Sequence, residues 1–224
     1  DCNGSDFLCY RCQAGLDHLA AAPACARCAL PVVSNGAPCP WCHGRGLPPF
    51  QSIIRLGRFD EPLREMIHAM KYRRLWRLAD ELAGRLLAED RVKRLLADCD
   101  VLVPVPLHWA RHIGRGYNQA DLLASALAKL ANVRVVRPAV RVRHTPRQTG
   151  IHSRTEREEN VRGAFALKRP AEIAAQRVVI VDDVMTTSAT LQTLGRILKP
   201  AHPAQISALV LAVADPRGQD FQGI

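Results

Sequence analysis

The chain has 224 residues and a mass of 24.7 kDa, room for one domain of roughly 100 to 150 residues plus a small appendage. Its 48% apolar and 23% charged composition excludes disorder over most of the length. Its longest aliphatic runs, VVIV at 178–181 among them, fall far short of the ~18 to 20 residues of a spanning helix. Lys and Arg number 31 against 21 Asp and Glu, a formal charge of +10 with a pI near 9.6, which favours polyanionic partners. The excess is concentrated: Arg134 to Arg169 holds ten Lys or Arg against Glu156, Glu158 and Glu159. The chain opens at Asp1 with no basic-then-apolar leader, so a cytoplasmic protein is the expectation.

Six of the eight cysteines form Cys-x-x-Cys pairs: Cys9 with Cys12, Cys25 with Cys28, and Cys39 with Cys42. Such pairing is the spacing of a zinc ribbon, in which tight turns aim two thiolates at one metal and a second pair closes the tetrahedron. The ten residues between Cys28 and Cys39 suit a short hairpin, making Cys25, Cys28, Cys39 and Cys42 the most economical closed site. Cys9 and Cys12 then need two further ligands, with Cys2 upstream and His18 or His43 as substitutes. A cytoplasmic compartment disfavours disulfides, and a thioredoxin-like role requires a pair at a helix start beside a strand, a context that none of the pairs shows in sequence. This segment is rich in Gly, Pro and Ala with little apolar periodicity, so its fold is expected to depend on metal. The GLPP run at 46–49 marks a boundary between a cysteine-rich domain, 1–48, and a second domain, 49–224.

Beyond it, QSIIRLGRF reads as a strand and PLREMIHAMKY as a short amphipathic helix. Leu75, Leu78, Ala79, Leu82 and Leu86 recur at helical spacing, predicting one long helix to about Ala97. DVLVPVP is a buried strand, and a helix from about Asn118 to Leu130 carries Leu122, Leu123, Ala126 and Leu130 on one face. VRVVRPAV, RVVIVDD and QISALVLAVA are three further strands, the second followed by a helix with Leu191, Leu194, Ile197 and Leu198. Aliphatic strands alternating with helices predict an α/β fold with a parallel sheet flanked by helices, whose ligands bind beyond the carboxyl ends of the strands.

VVIVDDVMTTSATL at 178–191 is where such a site is expected. An aliphatic strand runs into Asp182 and Asp183, and Thr186, Thr187, Ser188, Ala189 and Thr190 open the next helix. Small hydroxylated residues at a helix N-terminus offer backbone N–H groups, hydroxyl donors and a positive dipole end to a phosphate. The acids beside them accept hydrogen bonds from sugar hydroxyls and suit a magnesium shared with the ligand, which implies a phosphorylated ribose. The stretch resembles the signature of type I phosphoribosyltransferases, which hold 5-phosphoribosyl 1-pyrophosphate by its ribose diol and 5′-phosphate. Ser188 departs from that pattern, the family usually having glycine there. A pyrophosphate loop is expected within DVLVPVPLHW, from the backbone of Val105, Pro106 and the residues to His108, with Lys71, Arg111 and Arg115 as cations.

The Cys-x-x-Cys pairs, VPVPLHWARHIGRGYNQADLLA, RQTGIHSRTEREENVRGAF and VVIVDDVMTTSATL, in that order, resemble the ComF family of competence proteins over nearly the whole chain. Arg115, Gly116, Asn118 and Gln119 match its first stretch, and Gln148, Arg157 and Asn160 its second. The resemblance implies a zinc-bearing, phosphoribosyltransferase-like protein linked to uptake of transforming DNA, with single-stranded DNA and DNA-uptake proteins as partners. The segment Gln148 to Arg162 is then a flap or a nucleic-acid contact. The enzyme reading makes it a glycosyltransferase with an acceptor the residues do not name; the alternative is a binding protein that senses ribose phosphate or grips DNA.

Overall fold

A computed structural model describes residues 8–32, 38–107, 116–143 and 163–214. Its two longest strands are the two most aliphatic segments, β6 (Arg177–Met185) and β7 (Gln205–Val213), with β1 (Ile53–Arg58), β2 (Val101–Pro104) and β3 (Arg134–Val135) beside them. They form one sheet in the order β1-β7-β6-β2-β3, and every pairing is parallel. Strands buried on both faces need no alternation of polar residues, which is why β7 is buried from Ile206 to Val213. A separate antiparallel pair, β4 (Ala139–Arg141) with β5 (Phe165–Leu167), stands beside the sheet.

Helices α1 (Tyr10–Ala21), α2 (Leu63–Tyr72), α3 (Leu78–Ala88), α4 (Asp90–Ala97) and α5 (Gln119–Ala131) pack their apolar sides into one core with Ile54, Leu102, Val179 and Leu211. Helix α6 (Ala189–Leu198), the β4–β5 pair and the cysteine segment share the opposite core with Ile53, Val103, Ile180 and Val210. The cysteine segment thus reaches both faces: Leu16 and Leu19 of α1 join the first core, and Cys28, Leu30, Cys39 and Cys42 join the second. Two glycines permit this contact. A Cβ on Gly57 would lie 2.9 Å from Leu19 Cβ, and one on Gly195 would lie 2.8 Å from Pro49 Cγ, so α1 and the GLPP run approach closer than any side chain allows.

Several expectations change. The segment read as lacking apolar periodicity contains α1, with Cys9 as its N-cap, so Cys9 and Cys12 do stand at a helix start after all. The single long helix is two, because Glu89 is extended at φ −72° and ψ 124°, and Leu75 lies outside both with about half its surface exposed. VRVVRPAV divides into β3 and β4 around Pro138, whose ring supplies no N–H to a continuing ladder. On α5 the buried positions are Gln119, Ala120, Leu123, Ala124, Ala126 and Leu127, while Leu130 is exposed. β6 does not stop at the acids: Asp182 pairs with Val210, and the strand continues to Met185.

Candidate functional site

The cysteine cluster is built from two similar turns. Ala29 N donates to Cys25 O at 3.0 Å and His43 N to Cys39 O at 2.8 Å, and Ala29 and His43 both take positive φ, 62° and 49°. Each turn therefore folds back directly after its second cysteine, leaving both thiols on the inside. Cys25 Sγ lies 3.7 Å from Cys42 Sγ, and Cys28 Sγ 3.7 Å from Cys39 Sγ, with all four sulfurs within 4.8 Å of one another. Zinc bound tetrahedrally with Zn–S of ~2.3 Å sets sulfurs about 3.8 Å apart, so the donor set fits such a metal. None of these cysteines is in a disulfide.

The electrostatics agree with this. Burial pushes the Cys28 and Cys39 thiols up, and neighbouring thiolates push Cys28 further; burial also raises Cys25, but the N–H groups of Arg27 and Cys28 outweigh it and bring that thiol to about 7. Four thiolates in one place need a cation between them. Beside them Arg55 of β1 is buried, donating from Nη2 to the carbonyls of Ala22 and Pro23 at 3.2 and 3.3 Å. Cys12 packs against the helical core, and neither it nor Cys9 belongs to the four-cysteine cluster. Cys2 lies outside the described residues.

At the other end of the sheet, register brings two loops together. Pro104 of β2 pairs with Val181 of β6, so the segment leaving β2 starts beside the residue preceding Asp182. Val105 N donates to Val181 O at 2.9 Å, and Val105 O accepts from Asn118 Nδ2 at 2.9 Å. Asn118 also caps α5, its Oδ1 accepting from Ala120 N, so one side chain ties this loop to a helix start. With the Val105 N–H occupied and Pro106 lacking one, Leu107 is the first residue here whose amide is not already committed to that ladder.

Consecutive strand residues point to opposite faces, and the acid pair obeys this. Asp183 Oδ2 meets Lys71 Nζ of α2 at 2.9 Å, both side chains largely buried. Asp182 accepts from Asp183 N at 2.9 Å and lies within the field of Arg141 on β4. Burial, then the charge of Asp183, raises the Asp182 carboxyl to about 7 against the partial relief given by that amide, Lys71 and Arg141. Arg141 itself lies over the Phe165 ring at 5.4 Å. It also lines a cavity of about 550 Å³ with Pro104, Pro106, Leu107, Asn118 and Arg137.

After β6 the chain turns at Thr186 and Thr187, and Ser188 takes φ 61°, ψ −2° before α6 starts at Ala189. Thr187 and Ser188 are both buried. Ser188 Oγ donates to Thr187 O, whereas Thr187 Oγ1 is enclosed with no hydrogen-bond partner among the described residues. An enclosed hydroxyl without a partner costs about 1–3 kcal/mol, which an anion at this helix N-terminus would relieve.

Lys71, Asp182, Asp183, Val105, Pro106 and the Thr186–Thr190 turn thus sit at the carboxyl ends of adjacent strands. Arg111, Arg115, Gln148, Arg157 and Asn160 fall outside the described residues. Arg141 and Arg55 escaped sequence reading: each is one arginine among many, and its neighbours are far away in the chain.

A parallel sheet with a strand-end acid pair and a hydroxyl-rich helix start defines a phosphoribosyltransferase-like protein, and the family model for the phosphoribosyl transferase domain matches residues 115–222. The chain is 34% identical over 178 residues to DNA utilization protein YhgH of Escherichia coli strain K12, covering 78% of this chain and 77% of that protein. It is 32% identical over 212 residues to competence protein F of Haemophilus influenzae, covering 92% and 90%. The chain belongs to the ComF family of competence proteins. Among solved structures, a glutamine phosphoribosylpyrophosphate amidotransferase from B. subtilis aligns over 59% of this chain and 26% of its own, with 20% identity and a TM-score of 0.40. Among the described residues no helix is long and apolar enough to cross a membrane.

Proposed function

We propose that the strand-end site binds 5-phosphoribosyl 1-pyrophosphate with magnesium, and that the protein is a phosphoribosyltransferase acting in the use of imported DNA. The observation that carries this is the β6–α6 junction, where the buried Thr187 hydroxyl, without a partner among the described residues, lies just before a helix start and four residues beyond a carboxylate pair. The turn Thr186–Thr190 holds the 5′-phosphate, and Asp182 and Asp183 accept hydrogen bonds from the ribose hydroxyls. The segment after Val105, with Lys71, Arg111 and Arg115, holds the pyrophosphate. Magnesium, when bound beside the two acids, neutralises charge on the leaving group. As the pyrophosphate departs, C1 of the ribose gains positive character, which the carboxylates below the ring stabilise through space. The rest of the catalysis is positioning of the acceptor against C1. Cys25, Cys28, Cys39 and Cys42 hold a structural zinc.

Calorimetric titration with 5-phosphoribosyl 1-pyrophosphate and magnesium tests the site, and release of pyrophosphate with nucleobases and amines tests the chemistry. Saturable binding is expected; no heat of binding at millimolar ligand refutes the assignment. The names of the relatives and the +10 charge support a second reading, a non-catalytic protein that senses ribose phosphate and holds single-stranded DNA. Binding without pyrophosphate release from any acceptor distinguishes it.

A further inference from the structure

Lys71, the cation on Asp183, is the first residue of a run, KYRRLWR, that links α2 to α3. Six consecutive residues, 72 to 77, are exposed. Tyr72, Leu75 and Trp76 each leave about half their surface in solvent, an unusual concentration of uncovered apolar groups for one turn. Arg73, Arg74 and Arg77 stand between them, and none pairs with a carboxylate among the described residues. The Arg77 guanidinium lies 5.4 Å from the Trp76 ring centroid. Cations spaced between flat rings, without acids to neutralise them, form the surface on which a single strand lays its phosphates and stacks its bases.

The position of this ridge says more than its composition. It starts at the side chain that contacts the strand-end acids. A terminal nucleotide with its 5′-phosphate at the start of α6 turns its 3′ oxygen toward Asp182 and Asp183. The next phosphodiester then leaves past Lys71, toward residues 72 to 77. We propose that the site accepts the 5′-phosphorylated end of a single-stranded nucleic acid, its terminal sugar phosphate at Thr186–Thr190 and the following nucleotides on the Tyr72–Arg77 ridge. This rests on the reading of the strand-end site as one for a sugar phosphate. It adds the class of ligand and the surface that carries the remainder of the ligand. An anionic lipid surface also suits arginine and tryptophan, but does not account for a ridge that begins at a sugar-phosphate pocket.

The test is fluorescence anisotropy with a mixed-sequence 12-nucleotide DNA labelled at its 3′ end, carrying either a 5′-phosphate or a 5′-hydroxyl, with a matched RNA alongside. The phosphorylated strand is expected to bind about tenfold tighter, and Thr187→Val to abolish that preference. The triple variant Arg73→Ala, Arg74→Ala, Arg77→Ala should weaken both strands at least tenfold and reduce the slope of log K against log salt by about 2, near 0.7 for each phosphate no longer neutralised. Trp76→Ala should weaken both about tenfold, with Trp76→Phe recovering part of the loss. Calorimetric affinity for 5-phosphoribosyl 1-pyrophosphate should be unchanged in the ridge variants, which also shows that they fold. A preference for either sugar supports the proposal, provided the 5′-phosphate preference holds. Ridge variants that bind both strands like the parent overturn it while leaving the pocket reading intact. Equal affinity for the two 5′ ends overturns the terminal placement, as does ridge-dependent binding confined to phosphatidylserine vesicles. A parent protein that discriminates the 5′ ends yet fails to bind 5-phosphoribosyl 1-pyrophosphate supports the strand-end ligand and rejects the smaller one.

Discussion

The cysteine cluster and the strand-end acids both crowd groups that repel one another when ionised, but they are assembled in opposite ways. The four thiols are gathered by two local turns with little apolar material of their own, and burial favours the protonated state of Cys28 and Cys39. A cation between the thiolates would make that arrangement favourable, and on the zinc reading binding and folding there are one event. Asp182 and Asp183 are carried by a nine-residue strand fixed between neighbours on both sides. Lys71 and Arg141 are already in place around them. That site is organised before any ligand arrives, the condition under which electrostatic stabilisation costs no rearrangement.

The largest effect expected from breaking this contrast is in the cysteine cluster. Cys28→Ser should empty the metal site and unfold the turns around it while the sheet stays folded. Elemental analysis gives zinc content, and hydrogen exchange at residues 38–50 against β6 gives the local loss. Protein freshly purified without zinc would contradict this. In the preformed site, Asp182→Asn with Asp183→Asn should weaken 5-phosphoribosyl 1-pyrophosphate binding by about a hundredfold, ~2.7 kcal/mol, while the thermal transition stays cooperative. An unchanged calorimetric affinity would mean that the pocket lies elsewhere.

Ser188 gives a smaller effect. Its positive φ costs a residue with a Cβ on the order of 1 kcal/mol, so Ser188→Gly should tighten ligand binding by up to about tenfold, ~1.4 kcal/mol. Weaker binding would show instead that its hydroxyl leaves Thr187 O to contact phosphate, and unchanged binding would leave Thr186, Thr187 and Thr190 as the phosphate donors. A separate effect is in stability against pH. Asp182 holds its proton up to about 7 when folded and only to about 3.9 in an unfolded chain. The unfolded state therefore releases protons first, and stability falls as pH rises from about 4 to about 7, then levels off. Asp182→Asn should remove this contribution and raise the melting temperature relative to the parent more at pH 8 than at pH 5. Equal gains at the two pH values would place the Asp182 titration outside that window.

Where order in the sequence equals order in space, the reading succeeded. β6, β7 and α2 are carried by continuous patterns, and the Cys25–Cys28 and Cys39–Cys42 spacing needs only two turns to become a cluster. α1 was missed because Leu16 and Leu19 are its only fully buried residues, too few for a period to emerge among alanines. The break at Glu89 leaves no trace in the apolar spacing, since Leu82, Leu86, Val92 and Leu96 are all buried across it. The Asp182–Arg141 relation joins residues 41 positions apart through a two-strand unit whose second member, β5, is only three residues long. Such a contact is set by tertiary packing, which no local pattern reports.

β1 is the outermost strand of the sheet on one side, and its free flank is where the cysteine segment attaches. Arg27 O accepts from Ile53 N at 3.0 Å, and the Arg55 side chain is anchored to Ala22 and Pro23. The opposite margin, β3, is two residues long and starts with an exposed arginine, which discourages another chain from pairing there. β1 has no such exposed charge: Ile53, Ile54 and Leu56 are aliphatic and buried, and Arg55 between them is itself buried. On the reading of the four cysteines as a zinc site, loss of the metal would uncover this strand margin, so a chelator should turn a monodisperse solution turbid in proportion to protein concentration.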